Sequence, residues 1–171
     1  VPTDNPFVNT ANAKPEIWSY GHRNPQGLWY DLQTKTLWDV EHGPKGGDEL
    51  NLVEKGKNYG WPVITYGINY DGTPITDITE KEGMEQPVKY WVPSIATCGL
   101  TRVTSDQYSG WKGNFMVGAL ALTHVARVEV NNNSFVTQEK LLDKVGRVRA
   151  IEQGPDGLLY IATESPGLVL R

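Results

Sequence analysis

The sequence predicts an all-β fold, and three observations carry that prediction. Short runs of β-favouring residues recur between Gly, Asn, Asp and Pro. The 171 residues include 18 Gly, 11 Pro, six Trp, eight Tyr and three Phe, and no stretch keeps the 3.6-residue period of an amphipathic helix. A hydrophobic content of 39% with 21% charged residues is that of a globular chain rather than a disordered one.

Three segments repeat one layout, in which a strand runs into a tight turn and an apolar strand leaves it. Gln26 to Val40 turns at Gln33-Thr34-Lys35, Leu100 to Leu120 at Lys112-Gly113-Asn114, and Val148 to Thr163 at Pro155-Asp156-Gly157. The outgoing strands begin at Leu37, Phe115 and Leu159, 78 and 44 residues apart. The second interval is about one β-propeller blade, and the first is a blade plus an insertion. Asp71-Gly72, Pro74 and Glu80-Lys81-Glu82 mark the insertion as a surface loop over 67–88, of the kind that builds the mouth of a site. The expected blades are 16–66, 89–131 and 135–171. A sandwich of short strands fits the same spacing. Three blades cannot close a ring, because propellers use about four to eight. The chain is therefore expected either to belong to a longer protein or to form a homo-oligomer, since an open half-ring exposes strand edges and apolar faces.

Charge narrows the partners. The net charge is −4 with scattered Lys and Arg, so there is no basic footprint for nucleic acid or an anionic membrane. No run approaches the roughly 20 apolar residues that span a bilayer. Val1 to Asn12 lack the basic and apolar regions of a signal peptide, so any export signal is expected to lie upstream or to have been removed. The single cysteine, Cys98, excludes an intrachain disulfide framework and reads as a small buried residue.

Four motifs carry chemistry. In Gly21-His22-Arg23-Asn24-Pro25-Gln26-Gly27-Leu28, a glycine- and proline-shaped turn presents Arg23, a planar donor fork suited to carboxylates, and Asn24, which donates and accepts. A polar turn that merely satisfies backbone groups accounts for these residues equally well. In Glu41-His42-Gly43-Pro44-Lys45-Gly46-Gly47-Asp48-Glu49-Leu50-Asn51, a Gly-Pro step can turn carbonyls outward beside hard acidic oxygens, the ligands calcium prefers; a solvated acidic turn is the plain alternative. Asn58-Tyr59-Gly60-Trp61-Pro62 reads first as corner packing. Arg147-Val148-Arg149 opens the last hairpin, and strand alternation sets both arginines on one face, costly unless an anion lies between them. If the inner strands converge, Arg23, Arg147 and Arg149 form a cationic floor facing a calcium near Gly43 and Pro44, suited to a planar polycarboxylate.

Taken together, GHRNPQGL, EHGPKGGDELN and NYGWP closely resemble the soluble glucose dehydrogenases and aldose sugar dehydrogenases of the glucose/sorbosone dehydrogenase family, over nearly the whole chain. The resemblance implies a six-bladed propeller that binds pyrroloquinoline quinone (PQQ) and calcium, with this chain as its C-terminal half and last three blades. It assigns Arg23, Asn24, Arg147 and Arg149 to the cofactor and the Gly43 and Pro44 carbonyls to a catalytic calcium, with Asp48 beside them. Glu49 and the Tyr59 carbonyl match a second, structural calcium site. It further implies oxidation of an aldose at the anomeric carbon, an external electron acceptor and a periplasmic or secreted location.

Two departures stand out. The family's general-base histidine comes from upstream blades, and His22, His42 and His124 do not match it. Ala121 stands where members commonly carry a lysine near the quinone. Three functions are consistent with these residues: part of a working dehydrogenase, a non-catalytic half-propeller that self-associates and holds calcium or a quinone-like anion, and a scaffold propeller without cofactor. The retained arginines and the Gly43-Pro44 turn argue against the scaffold.

Overall fold

A computed structural model describes residues 1–171 as eleven strands with no helix. No helix is long and apolar enough to cross a membrane. The strands form three antiparallel meanders. The first sheet contains β1 (Pro25–Asp31), β2 (Thr36–Glu41), β3 (Asp48–Val53) and β4 (Lys89–Trp91). The second contains β5 (Thr97–Arg102), β6 (Phe115–Ala119), β7 (Val125–Asn131) and β8 (Ser134–Leu141). The third contains β9 (Arg147–Gln153), β10 (Leu159–Glu164) and β11 (Leu168–Leu170). The expected all-β propeller architecture is present, each sheet being one blade, although the third has three strands rather than four.

The three foreseen turns sit between β1 and β2, β5 and β6, and β9 and β10. At the first, the Asp31 carboxylate accepts the Gln33 and Thr34 N–H groups at 2.8 and 3.3 Å, the usual way Asp closes a turn. The blade boundaries differ from expectation. Lys89–Trp91 pairs with β3 and closes the first blade instead of opening the second, so the long 54–88 connection lies inside a blade. Ser134–Leu141 pairs with β7 and belongs to the second blade. Both are edge strands. β4 has only three residues, and all but the last residue of β8 are exposed, so neither carries the apolar alternation that reveals a strand. The turn into β8 is made by Asn132 and Asn133, both at positive φ, the backbone a two-residue hairpin needs.

Two apolar layers join the blades. Trp38, Val40, Leu50 and Trp91 of the first sheet pack with Leu100, Phe115, Val117, Ala126 and Val128 of the second. Met116 and Val125 of the second pack with Val148, Ile151, Leu159 and Ile161 of the third. β6 is buried on both faces and supplies alternate residues to each layer, as the period-2 alternation of a strand dictates.

The first strand of each blade carries a β-bulge near its start, where the register skips Gln26, Gly99 and Arg149 in turn. A bulge bends a strand and re-aims side chains, so this repeated defect sets how the inner strands meet. At Gly27 a Cβ would lie 2.9 Å from the Leu100 nitrogen, and at Gly99 3.0 Å from the Ala150 Cα, so only glycine lets these neighbouring strands touch.

Candidate cofactor and cation site

The site grows from the polar face of β2 and β3. Strand alternation turns Trp38, Val40 and Leu50 into the inter-blade core and Asp39, Glu41, Glu49 and Asn51 to the other side. Antiparallel register sets Asp39 opposite Asn51 and Glu41 opposite Glu49. Residues 18–24 and 54–65 cover this face. Gly21 fits there because a Cβ would lie 2.2 Å from Asn58 Oδ1, and His22 stacks on Tyr59 with ring centroids 4.5 Å apart.

Burying Asp39 and Glu41 beside a half-buried Glu49 is costly unless cations or donors compensate. His22 supplies one charge. Its Nδ1 lies 3.3 Å from Glu41 and 3.4 Å from Asp39, and its Nε2 lies 2.8 Å from Ser19 Oγ. Burial works to lower the His22 pKa, but the hydrogen bond to Glu41 and the charges of Asp39, Glu41 and Glu49 outweigh it and hold the pKa above its ordinary value. Asp39 is pushed up to about 7 by burial and the neighbouring Glu41 charge, against His22 and Asn51. Glu49 is pushed up to about 8, again by burial first and the Glu41 charge second, with only Asn51 at 3.3 Å as a side-chain donor.

Compensation is therefore incomplete in protein atoms alone. Asp39 Oδ1 and Asn51 Oδ1 are buried without a partner, and the Tyr59 carbonyl accepts no hydrogen bond from the chain. Glu49 and Tyr59 line a cavity of about 10 Å³ with Gly47, Trp61 and Thr65, room for the centre of one ion or water. A hard divalent cation fits this oxygen-rich, anion-crowded spot. His22, Asp39 and Glu41 also converge closely enough to suggest a metal, but there the imidazole already bridges the two acids.

Beside this cavity, the carbonyls of the Gly43–Gly47 turn are fixed on three sides. A Cβ on Gly43 would lie 2.2 Å from the Gly46 oxygen, so the turn closes only around glycine. Asp48 is fully buried, and its carboxylate accepts the Gly43 N–H at 3.0 Å, the Ser94 hydroxyl, the Ala96 N–H at 2.6 Å and the Thr97 N–H at 3.3 Å. The insertion loop lies against the turn, with Ile68 bridged to Lys45 and Gly67 packed on Pro44. His42, Gly43, Pro44, Tyr70, Ser94 and Ala121 then line an open cavity of about 320 Å³.

The sequence-derived site residues divide into three groups. Arg23 reaches the turn but spends its guanidinium on the His42 and Gly43 carbonyls, at 2.9 and 3.0 Å, 5.2 Å over the Trp61 ring; the Pro44 carbonyl has no partner within the chain. Asn24 is exposed, its side-chain oxygen accepting from Gln26 Nε2 at 2.8 Å. Asp48, expected at the cofactor, has no acceptor capacity left for a ligand and acts by holding Gly43 in place. Arg147 and Arg149 do share a face, but the anion between them is a protein group. Glu164 on β10 takes Arg147 Nε at 3.5 Å and Arg149 Nε at 2.5 Å, so the pair does not by itself demand a ligand. Arg147 also lies 3.5 Å from the Leu120 carbonyl, next to Ala121 in the open cavity. Cys98 is buried and free, and His124 is buried with Nδ1 3.0 Å from the Leu122 carbonyl.

Sequence reasoning missed Asp39, His22 as an ion-pair partner, Glu41 and Glu164. The hairpin register could have found Asp39 and Glu41, which stand opposite Asn51 and Glu49, whereas His22 lies outside the hairpin.

Comparison with known proteins agrees with this architecture. The glucose/sorbosone dehydrogenase family model matches residues 1–171. The chain is 44% identical to aldose sugar dehydrogenase YliI of Escherichia coli over 175 residues, spanning 100% of this chain and 47% of that protein. It is 48% identical to quinoprotein glucose dehydrogenase B of Acinetobacter calcoaceticus over 64 residues, 37% of this chain and 13% of that one. The crystal structure of the soluble aldose sugar dehydrogenase from Escherichia coli in the apo-form superposes with a TM-score of 0.90 at 43% identity, over 97% of this chain and 49% of that one. The PQQ-bound aldose sugar dehydrogenase of Streptomyces coelicolor superposes with a TM-score of 0.71 at 26% identity, over 98% of this chain and 44% of that one. The chain spans about half the length of the curated relatives it matches across its whole length. It belongs to the glucose/sorbosone dehydrogenase family.

Proposed function

We propose that this chain is the cofactor- and calcium-holding part of a PQQ-dependent aldose dehydrogenase, which oxidises the anomeric carbon of an aldose and passes the electrons to an external acceptor in the periplasm or outside the cell. The observation that carries this reading is the pinned Gly43–Pro44 turn, set between a cation-deficient carboxylate cluster and an open cavity. In the proposed site Glu49 and the Tyr59 carbonyl hold one calcium, and the Gly43 and Pro44 carbonyls a second. Bound PQQ would supply the two-electron redox chemistry. Arg23, Arg147 and Arg149 bind its carboxylates, and Asn24 orients it through hydrogen bonds. Arg23 would exchange the Gly43 carbonyl for the cofactor, freeing that oxygen for calcium. Asp48 keeps the turn from collapsing while this happens.

Two of the chain's three histidines are engaged elsewhere, His22 in an ion pair and His124 buried in a turn, and the Nε2 of the third, His42, is buried out of reach of a substrate. Proton removal from the sugar would then fall to a residue in the remainder of the ring. This observation favours a second reading in which the chain by itself, or self-associated, binds calcium and the quinone without turnover. Titrating the calcium-loaded chain with PQQ in a calorimeter, then assaying dye-linked glucose oxidation on the same sample, separates the two. Binding with turnover supports the dehydrogenase, binding alone supports the holding module, and no binding sinks both. As a further test, Arg149→Ala is expected to weaken PQQ binding about tenfold, the worth of one charge-assisted hydrogen bond.

A further inference from the structure

Glu41, 3% exposed, lines the cation cavity together with Arg23, and its carboxylate also reaches the backbone of the turn that carries Arg23 and Asn24. Oε2 accepts the backbone N–H of Arg23 at 2.6 Å and of Asn24 at 3.1 Å. Oε1 lies 3.1 Å from Asn51 Nδ2 and 3.3 Å from His22 Nδ1. The same Asn51 nitrogen donates to Glu49 at 3.3 Å, so one amide NH₂, with a hydrogen for each, links the two acids opposite each other on β2 and β3. No residue other than Glu41 receives the two turn amides.

We infer that Glu41 is a positioning residue coupling the cation site at Glu49 and Tyr59 to the Arg23–Asn24 turn, so that a cation at the first orders the backbone of the second. The inference rests on the proposed cation site. Its physical basis is charge crowding. Asp39, Glu41 and Glu49 face one another where little water screens them, with a single imidazole to share. A divalent cation on Glu49 relieves the repulsion acting on Glu41 across the Asn51 amide that links them. Glu41 then holds the fixed geometry that its two backbone donors require. The coupling is reciprocal: a ligand that orders the Arg23–Asn24 turn also tightens the cation site.

Amide hydrogen exchange of the full chain tests this without cofactor turnover, with calcium binding followed separately by thermal shift. In the wild type, calcium is expected to slow exchange at the Arg23 and Asn24 amides by roughly fivefold or more, the lower end of ordinary coupling between sites. Glu41→Gln, which turns an NH₂ group toward one set of donors, is expected to leave both amides fast with or without calcium, while Val117 of β6 stays protected. Glu49→Gln keeps the Glu41 contacts and is expected to abolish the calcium effect, which guards against a Glu41 variant that fails to fold. A wild type that binds calcium while its Arg23 and Asn24 amides exchange unchanged would overturn the coupling alone. A wild type without a calcium-dependent thermal shift would remove the cation site and the coupling with it.

Discussion

The first and second sheets are built on the same four-stranded meander and bury opposite chemistry. In the second, the facing pairs Phe115–Val128 and Val117–Ala126 are apolar and wholly buried. In the first, one face of β2 and β3 joins that dry layer, while the other holds Asp39 opposite Asn51 and Glu41 opposite Glu49. The second blade, with a neighbour on each side, is dry on both faces, whereas the first is dry only where it meets the second. The remaining face of the first blade is covered by loop segments, and it is there that the chain carries the desolvation cost of three acids, a cost the fold alone does not require. The contrast separates residues that hold the propeller together from residues proposed to serve a ligand.

Four changes break or sharpen that contrast. Phe115→Ala, in the dry layer, is expected to lose about 3–5 kcal/mol of stability, the usual cost of emptying a core aromatic site, and to lose it equally with and without calcium. Denaturant unfolding at both conditions checks this, and rescue by calcium would contradict the division between the two sheets.

The polar face should instead respond to pH. The Asp39 and Glu49 pKa values are raised on folding, to about 7 and about 8. Between about pH 4 and pH 8 the folded chain therefore binds more protons than the unfolded one, and stability falls as pH rises. His22, also raised, acts in the same direction: its contribution is full below its unfolded pKa and lost as pH climbs through the folded value. The thermal midpoint of the chelated chain is expected to drop across this window and the calcium-loaded midpoint to stay flatter. A chelated midpoint that climbs with pH would refute the cluster's charge balance.

Asp48→Asn comes next in size. Replacing one acceptor oxygen by NH₂ in a saturated buried carboxylate sets donors against donors, at a cost of about 1.5–3 kcal/mol for a lost bond to a charged group. Calcium affinity should fall with it, because the Gly43–Pro44 turn loses its anchor; a stable variant with unaltered calcium binding would free Asp48 from that role. The smallest effect is at the surface. Glu164→Gln is expected to leave the thermal midpoint unchanged, since its pairs with Arg147 and Arg149 are exposed. It should nevertheless tighten PQQ binding in a salt-dependent way by uncovering positive charge, and equal affinity at low and high salt would exclude these arginines from the site.

Much of the fold was legible because local rules write it. The turns at Gln33–Lys35, Lys112–Asn114 and Pro155–Gly157 follow from turn-forming residues beside β-favouring runs, and each lies just before its outgoing strand, although β5 ends at Arg102, well before the second turn. The short or solvated edge strands β4 and β8 were not legible, because a strand that buries nothing leaves no apolar period. Within the site, the glycine- and proline-rich motifs marked the right turns, whereas the roles of their side chains did not follow. Arg23 was expected on a ligand and is found on the Gly43 carbonyl. Asp48, expected beside the site, anchors the Gly43 turn and ties β3 to the start of β5.

By itself the sequence determined the strands that alternate, the turns that join them and the family motifs they carry, since these depend on residues a few positions apart. Only the tertiary structure decided which charges meet. Glu41 reaches the amides of Arg23 and Asn24, Asp48 reaches Ala96, and Glu164 comes between Arg147 and Arg149, across separations of about fifteen to fifty residues. Such contacts depend on register, bulges and blade docking, and their energies depend on how much water the completed fold excludes. A one-dimensional pattern encodes neither directly.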